Sequence, residues 1–249
     1  MADKNEVRKD NPAGRLYHIL AAAQDRRGDK TVARVWYEVF DINPPSVPVL
    51  FDYLRELQKL VAETKTQLEQ VEEASGLNFL KSFDQIETVV HVSNLDGPWQ
   101  RYKERLNPQS DAMTRLELGA QALSGRRTEQ IIDEDELSQL KGEIESLSEK
   151  IIRSDSLNDD LKAFIMEKLE GIRRAIQVYR LRGITNLRKA FEESLGGIIV
   201  NRAEFERAKE TEEVGWFKRI LSKAWSMITF ARLKEGVQLA NEVKELLGP

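Results

Sequence analysis

The stretch VGWFKRILSKAWSMITFARLK, residues 214–234, carries the periodicity from which the fold is read. At about 100° per residue, Trp216, Ile220, Leu221, Ala224, Met227, Ile228 and Ala231 share one arc, with Phe217 beside them. Lys223 and Lys234 fall near one edge, with Arg219 just beyond it, and Arg232 and Lys218 lie past the other. Ser222, Ser226 and Thr229 occupy the opposite face. The stretch holds five Lys/Arg and no Asp or Glu, in a chain whose formal net charge is -4. It reads as an amphipathic helix that starts near Val214 and runs to the C-terminus. Such a helix either docks its apolar arc on its own protein or lies in a membrane interface, with Lys and Arg stems along its edges.

Working outward, the same helical spacing recurs along the chain. Upstream, Leu137, Leu140, Ile144, Leu147 and Ile151 alternate steps of three and four behind Asp133, which has Glu136 in the capping-box position. Ser154 to Asp160 breaks that helix, and Asn158 is placed to cap the next, with Leu161, Ile165, Leu169, Ile172, Ile176 and Tyr179 on one side. Arg182-Gly183 ends it. A further helix carries Leu187, Phe191 and Leu195 as far as Gly196-Gly197, read as a hinge. These helices and the basic one make an antiparallel C-terminal bundle over 126–249.

The N-terminal region, 11–125, reads as a second helical assembly behind a solvated tail, 1–10. Leu16, Ile19, Leu20 and Ala23 mark one helix, and Val32, Val35, Trp36, Val39 and Phe40 mark another that Asp29 is placed to cap. Three prolines within Asn43 to Pro48 break the pattern. Leu50, Leu54, Leu57, Val61, Thr64, Leu68 and Val71 then form a narrow seam resembling that of a coiled coil. Phe79 to Val92 suits a helix better than a strand, because a single strand would have no mate. Ala112, Met113, Leu116, Ala120 and Leu123 mark the last helix before a boundary at Gly125 to Thr128. The predicted class is all-α.

Composition narrows the chemistry. The chain of 249 residues has no cysteine, which removes disulfides, thiolate catalysis and Cys-based zinc sites. Its opening, MADKNEVRKDN, has no apolar h-region of a secretory signal, and no apolar run reaches the roughly 18 residues of a membrane span. His18 and His91 stand apart, outside HxH or HExxH spacing, and neither GxxxxGK[ST] nor GxGxxG occurs. Acidic residues at Ile132 to Glu136 suit the first turn of a helix. Arg173, Arg174, Arg180, Arg182 and Arg188, with Tyr179 beside them, form a second basic region able to contact phosphates. The acidic chain carries no recognition-helix motif, and sequence-specific DNA binding is not expected.

The reading assigns no catalytic, cofactor-binding or metal-binding residue and no known family. It expects a cytoplasmic, non-enzymatic interaction or accessory protein that binds a protein partner or a second copy. The interaction residues are expected on the C-terminal stripe: Trp216, Phe217, Ile220, Leu221 and Trp225, rimmed by Lys218, Arg219, Lys223 and Arg232. One alternative is a peripheral effector that inserts this helix into an anionic membrane surface, as in a bacterial defence or toxin system. Another is a metal- or nucleic-acid-dependent enzyme built from scattered acids. If the stripe is an interface, Trp225→Ala weakens association in a titration while helicity is retained.

Overall fold

The computed structural model describes residues 7–91, 94–107, 109–126 and 129–229. Their regular structure is helical, and the pairing of β type among them is a lone bridge between Thr31 and Pro98. The chain divides into two compact units: Met1–Glu129 together with Arg180–Gly183, and Gln130–Tyr179 together with Ile184–Pro249.

The first unit contains α1 (Pro12–Gln24), α2 (Val32–Val39), α3 (Val47–Ser75), α4 (Phe83–Val90), α5 (Gln100–Lys103) and α6 (Asp111–Ser124). Asn11 caps α1, its side-chain oxygen accepting from the Gly14 N–H at 2.9 Å, and Pro12 follows where its missing donor costs nothing. The cap of α2 is Thr31, which accepts from the Arg34 N–H at 3.3 Å. Asp29, the expected cap, is instead paired with Arg27, two residues further from the helix than a cap must be. The proline break is shorter than expected, because Pro48 lies in the first turn of α3. Every seam position of α3 from Leu50 to Val71 is buried, and so is Leu60. The face is therefore wider than a two-helix seam, and it packs on α1, α2, α4 and α6 of the same unit.

Aromatic residues tie the unit together. Trp99 packs edge-on against Trp36 at 5.7 Å and stacks on Tyr102, while Phe40 stacks between Trp36 and Tyr53. The Trp99 indole N–H donates to the Ala23 carbonyl at 3.1 Å, which pins the start of α5 to the end of α1. The segment expected as tail is not wholly solvated. Val7 and Asp10 are buried, because Asp10 accepts from Ser124 Oγ at 2.8 Å and its carbonyl accepts from the Glu129 N–H at 2.7 Å.

The second unit is built on α7 (Glu134–Arg153), α8 (Asp159–Gln177), α10 (Ile184–Val200) and α12 (Glu212–Thr229), with the short α11 (Arg202–Arg207) before α12, whereas the short α9 (Tyr179–Arg182) belongs to the first unit from Arg180 onward. Asp133 and Asn158 cap α7 and α8 as expected, accepting from Asp135 and Leu161 N–H groups at 2.8 Å each. Contacts run α7 to α8 to α10 to α12 and back to α7, so the four helices close a ring around one apolar core. Lys150 pairs with Glu212 at 2.5 Å and Glu143 with Lys223 at 2.6 Å. Numbering rises on one helix as it falls on the other, so α12 runs antiparallel to α7.

The pair Gly196-Gly197 is not a hinge, since α10 continues through it to Val200. A Cβ at Gly197 would stand 2.6 Å from the Phe164 ring, so the glycine admits α8 rather than bending α10.

Thr64 is fully buried in the α3 seam with its hydroxyl unpaired. Thr64→Val keeps the shape and removes an unsatisfied polar group. The substitution is expected to stabilise the protein by about 1 kcal/mol, seen as a higher urea midpoint at unchanged m-value.

Candidate functional site

The basic helix is a working member of the bundle. Helix α12 begins two residues before Val214, and its first turn contains Glu212 and Glu213, acids that suit the positive end of the helix dipole. Of the apolar stripe, Phe217, Ile220 and Leu221 are completely buried in the core, as are Val214 and Ala224. Phe217 is thus not an exposed anchor: its ring packs with Phe205 of α11 at 6.1 Å. Trp216 and Trp225 are half-buried and pack against the same core. Trp225 stacks on Phe191 of α10 with ring centres 5.1 Å apart. The two tryptophans sit on opposite edges of the stripe. Their large apolar rings are therefore engaged in holding α12 in place.

Charge at the edges is also engaged. Lys223 is held by Glu143 at 2.6 Å, Lys218 is half-buried and Arg219 is exposed. Arg232, with Ala231 and Lys234, lies outside the described residues.

The second basic region is divided between the two units. Arg173 and Arg174 both pair with Glu170, at 2.6 and 2.8 Å. Arg180 and Arg182 belong to the first unit, where Arg182 faces Glu56 at 3.5 Å and Glu63 at 3.4 Å. The Tyr179 hydroxyl accepts from the Ile132 N–H at 2.7 Å, which fixes the approach to α7. His18 Nε2 meets the Val7 carbonyl at 2.5 Å, and His91 Nδ1 meets the Glu87 carbonyl at 2.9 Å. Among the described residues, no group of three or more His, Cys, Asp or Glu is arranged to hold a metal ion. Nor is any helix among them long and apolar enough to cross a membrane.

Sequence reasoning missed a buried ionic cluster in the first unit. Arg15, only 5% exposed, donates through Nη1 to Glu129 Oε2 at 2.6 Å and through Nε to the Leu181 carbonyl at 3.2 Å. Its Nη2 is buried and unpaired. Gly183 lies over the pair with φ +58, and a Cβ there would fall on the Glu129 carboxylate and within 2.7 Å of Arg15 Nη1. Burial pushes the Glu129 carboxyl above the usual range, Arg15 opposes that shift, and Glu63 and Asp10 add to it. A signal was present in the sequence: Arg15 stands one helical turn before Ile19, on the edge of the α1 apolar stripe.

Large apolar side chains are exposed at two helix ends, among other places. Val47 and Phe51, one turn apart on α3, are 55% and 56% exposed, and Val49 is exposed on the opposite flank of the helix. Ile199 and Val200 project from the end of α10.

Comparison with protein families, with curated proteins and with solved structures finds no match to this chain.

Two outcomes follow from these placements. Phe217→Ala is expected to cost about 3–5 kcal/mol, and Trp225→Ala about 2 kcal/mol through loss of the Phe191 stack, both read from denaturation midpoints. Because the Glu129 carboxyl is raised in the fold, the unfolded chain ionises first as pH rises. Its contribution to stability is therefore present below the unfolded pKa of about 4.3 and is lost as pH rises through the folded value. The stability of wild type minus that of Glu129→Gln should fall between weakly acid and neutral pH; a flat difference would contradict the assignment.

Proposed function

We propose that this chain is a non-enzymatic helical interaction protein that works by protein–protein association, with a second copy as the first partner to test. The observation that carries the reading is the exposed apolar start of α3. Val47 and Phe51 present more than half of their surface, while Leu50 and Leu54, at the neighbouring margin of the same turns, fill the core. Keeping a Phe and two Val in water forgoes burial worth roughly 1.5–3 kcal/mol for each fully buried side chain, and aromatic residues are enriched in interfaces relative to the rest of the surface. Asp52 and Arg55, paired at 3.0 Å on the same helix, supply a polar rim.

Helix α12 supports the reading less directly. Insertion of its stripe into a membrane interface requires withdrawing Phe217, Ile220, Leu221 and Ala224 from the core. The half-buried Trp216, Lys218 and Trp225 and the exposed Arg219, at the edges of the stripe, can be touched by a protein surface without undocking the helix.

The test is sedimentation equilibrium of the full chain and of Val47→Asp/Phe51→Asp. These exposed substitutions should change stability little. Wild type is expected to self-associate, and the variant to do so at least about tenfold more weakly, a loss of about 1.4 kcal/mol. An association constant that ignores the two substitutions would remove α3 as the contact, and a wild-type chain that stays monomeric would remove self-association.

A further inference from the structure

The first unit is contiguous to Glu129 and is then completed by four residues from much later in the chain, Arg180–Gly183. Each of the four has its own partner there. Leu181 is buried in the unit's apolar core and its carbonyl accepts from Arg15 Nε. Arg182 sits between Glu56 and Glu63, two turns apart on α3. Arg180 Nη1 is 3.5 Å from the Val39 carbonyl at the end of α2. Gly183 covers the Arg15–Glu129 pair, where no side chain fits.

We propose that the first unit carries a binding site for an Arg-Leu-Arg-Gly peptide, which the chain fills in this structure with its own residues 180–183. Recognition is specific at each position: an apolar hole for the leucine, two carboxylates for the following arginine, a carbonyl for the preceding one, and a closed floor that requires glycine. The charge balance fits a basic ligand. Glu56, Glu63 and Glu129 outnumber the two built-in cations paired with them, Lys59 and Arg15, and the ligand's arginines offset the remainder. The contacts also suit an occupant that exchanges. One apolar side chain anchors it, and the arginine contacts, at 3.4 to 3.5 Å, are longer than the 2.6 Å of the Arg15–Glu129 pair that lies within the receptor itself. This proposal stands apart from the association described above, since oligomeric state is not its readout.

The test uses a fluorescent peptide of residues 178–185 and the full-length Gly183→Ala chain, in which the added methyl and the left-handed backbone expel the internal occupant. The peptide is expected to bind this variant saturably, and wild type at least about tenfold more weakly because its site is filled. Alanine in place of leucine in the peptide, or Glu56→Gln/Glu63→Gln in the variant, should each weaken binding by a similar factor. Absence of binding to a helical Gly183→Ala chain would overturn the proposal, as would equal binding of a scrambled peptide. If Gly183→Ala loses helicity, Leu181→Ala/Arg182→Ala vacates the site without strain and is held to the same criteria. Loss of helicity in both would also overturn it, because an exchangeable occupant cannot be what holds the unit together.

Discussion

A guanidinium removed from water needs partners for its charge and its donors, and Arg15, partnered at Nη1 and Nε though not at Nη2, imposes that need on the first unit. Its carboxylate comes from Glu129, at the far end of the unit's contiguous sequence, and its carbonyl from Leu181, which arrives later still. Replacing such a pair by apolar residues of equal volume is often neutral or stabilising, whereas removing one partner is costly. The pair is thus better understood as selecting an arrangement than as adding stability. It specifies where residues 129 and 181 go, and Gly183 is the residue type that this placement admits.

The second unit solves a different problem. Four amphipathic helices close a ring, and the last of them, α12, has a stripe wide enough to meet both α7 and α10. Its edge positions carry the two tryptophans and the lysine paired with Glu143, so the features that make the segment stand out in the sequence are largely those that hold it in the ring. A basic rim on an apolar helix has two uses, and the burial of Phe217, Ile220 and Leu221 gives it the structural one here. The surfaces the packing leaves open include the first turns of α3, where Val47 and Phe51 are more than half exposed.

Periodicity made the helices and most of their buried faces readable, because each stripe is a local property of consecutive residues. The seam of α3 was visible down to Thr64, and Asp133 and Asn158 were visible as caps because a cap acts on its own helix within three residues. Long-range pairing leaves no such local mark. Nothing in the spacing of residues 1–10 shows that Asp10 will meet Ser124, and nothing near Arg182 shows that it will face α3. The double glycine was misread for the same reason. A glycine in a helix marks either a bend or a close neighbour, and the neighbour, Phe164, lies on another helix. The ionic cluster around Arg15 joins both difficulties, since its members are far apart in sequence and the charged ones are ordinary surface residue types.

The distribution of the four tryptophans gives the molecule an internal optical label. Trp36 and Trp99 lie fully buried and edge-on to one another in the first unit, while Trp216 and Trp225 lie half in solvent on one helix of the second. Coupled, sheltered indoles and partly hydrated ones differ in near-ultraviolet circular dichroism, in emission wavelength and in access to a dissolved quencher. Each unit therefore reports its own melting by light, without a dye, a cysteine or a cut in the chain.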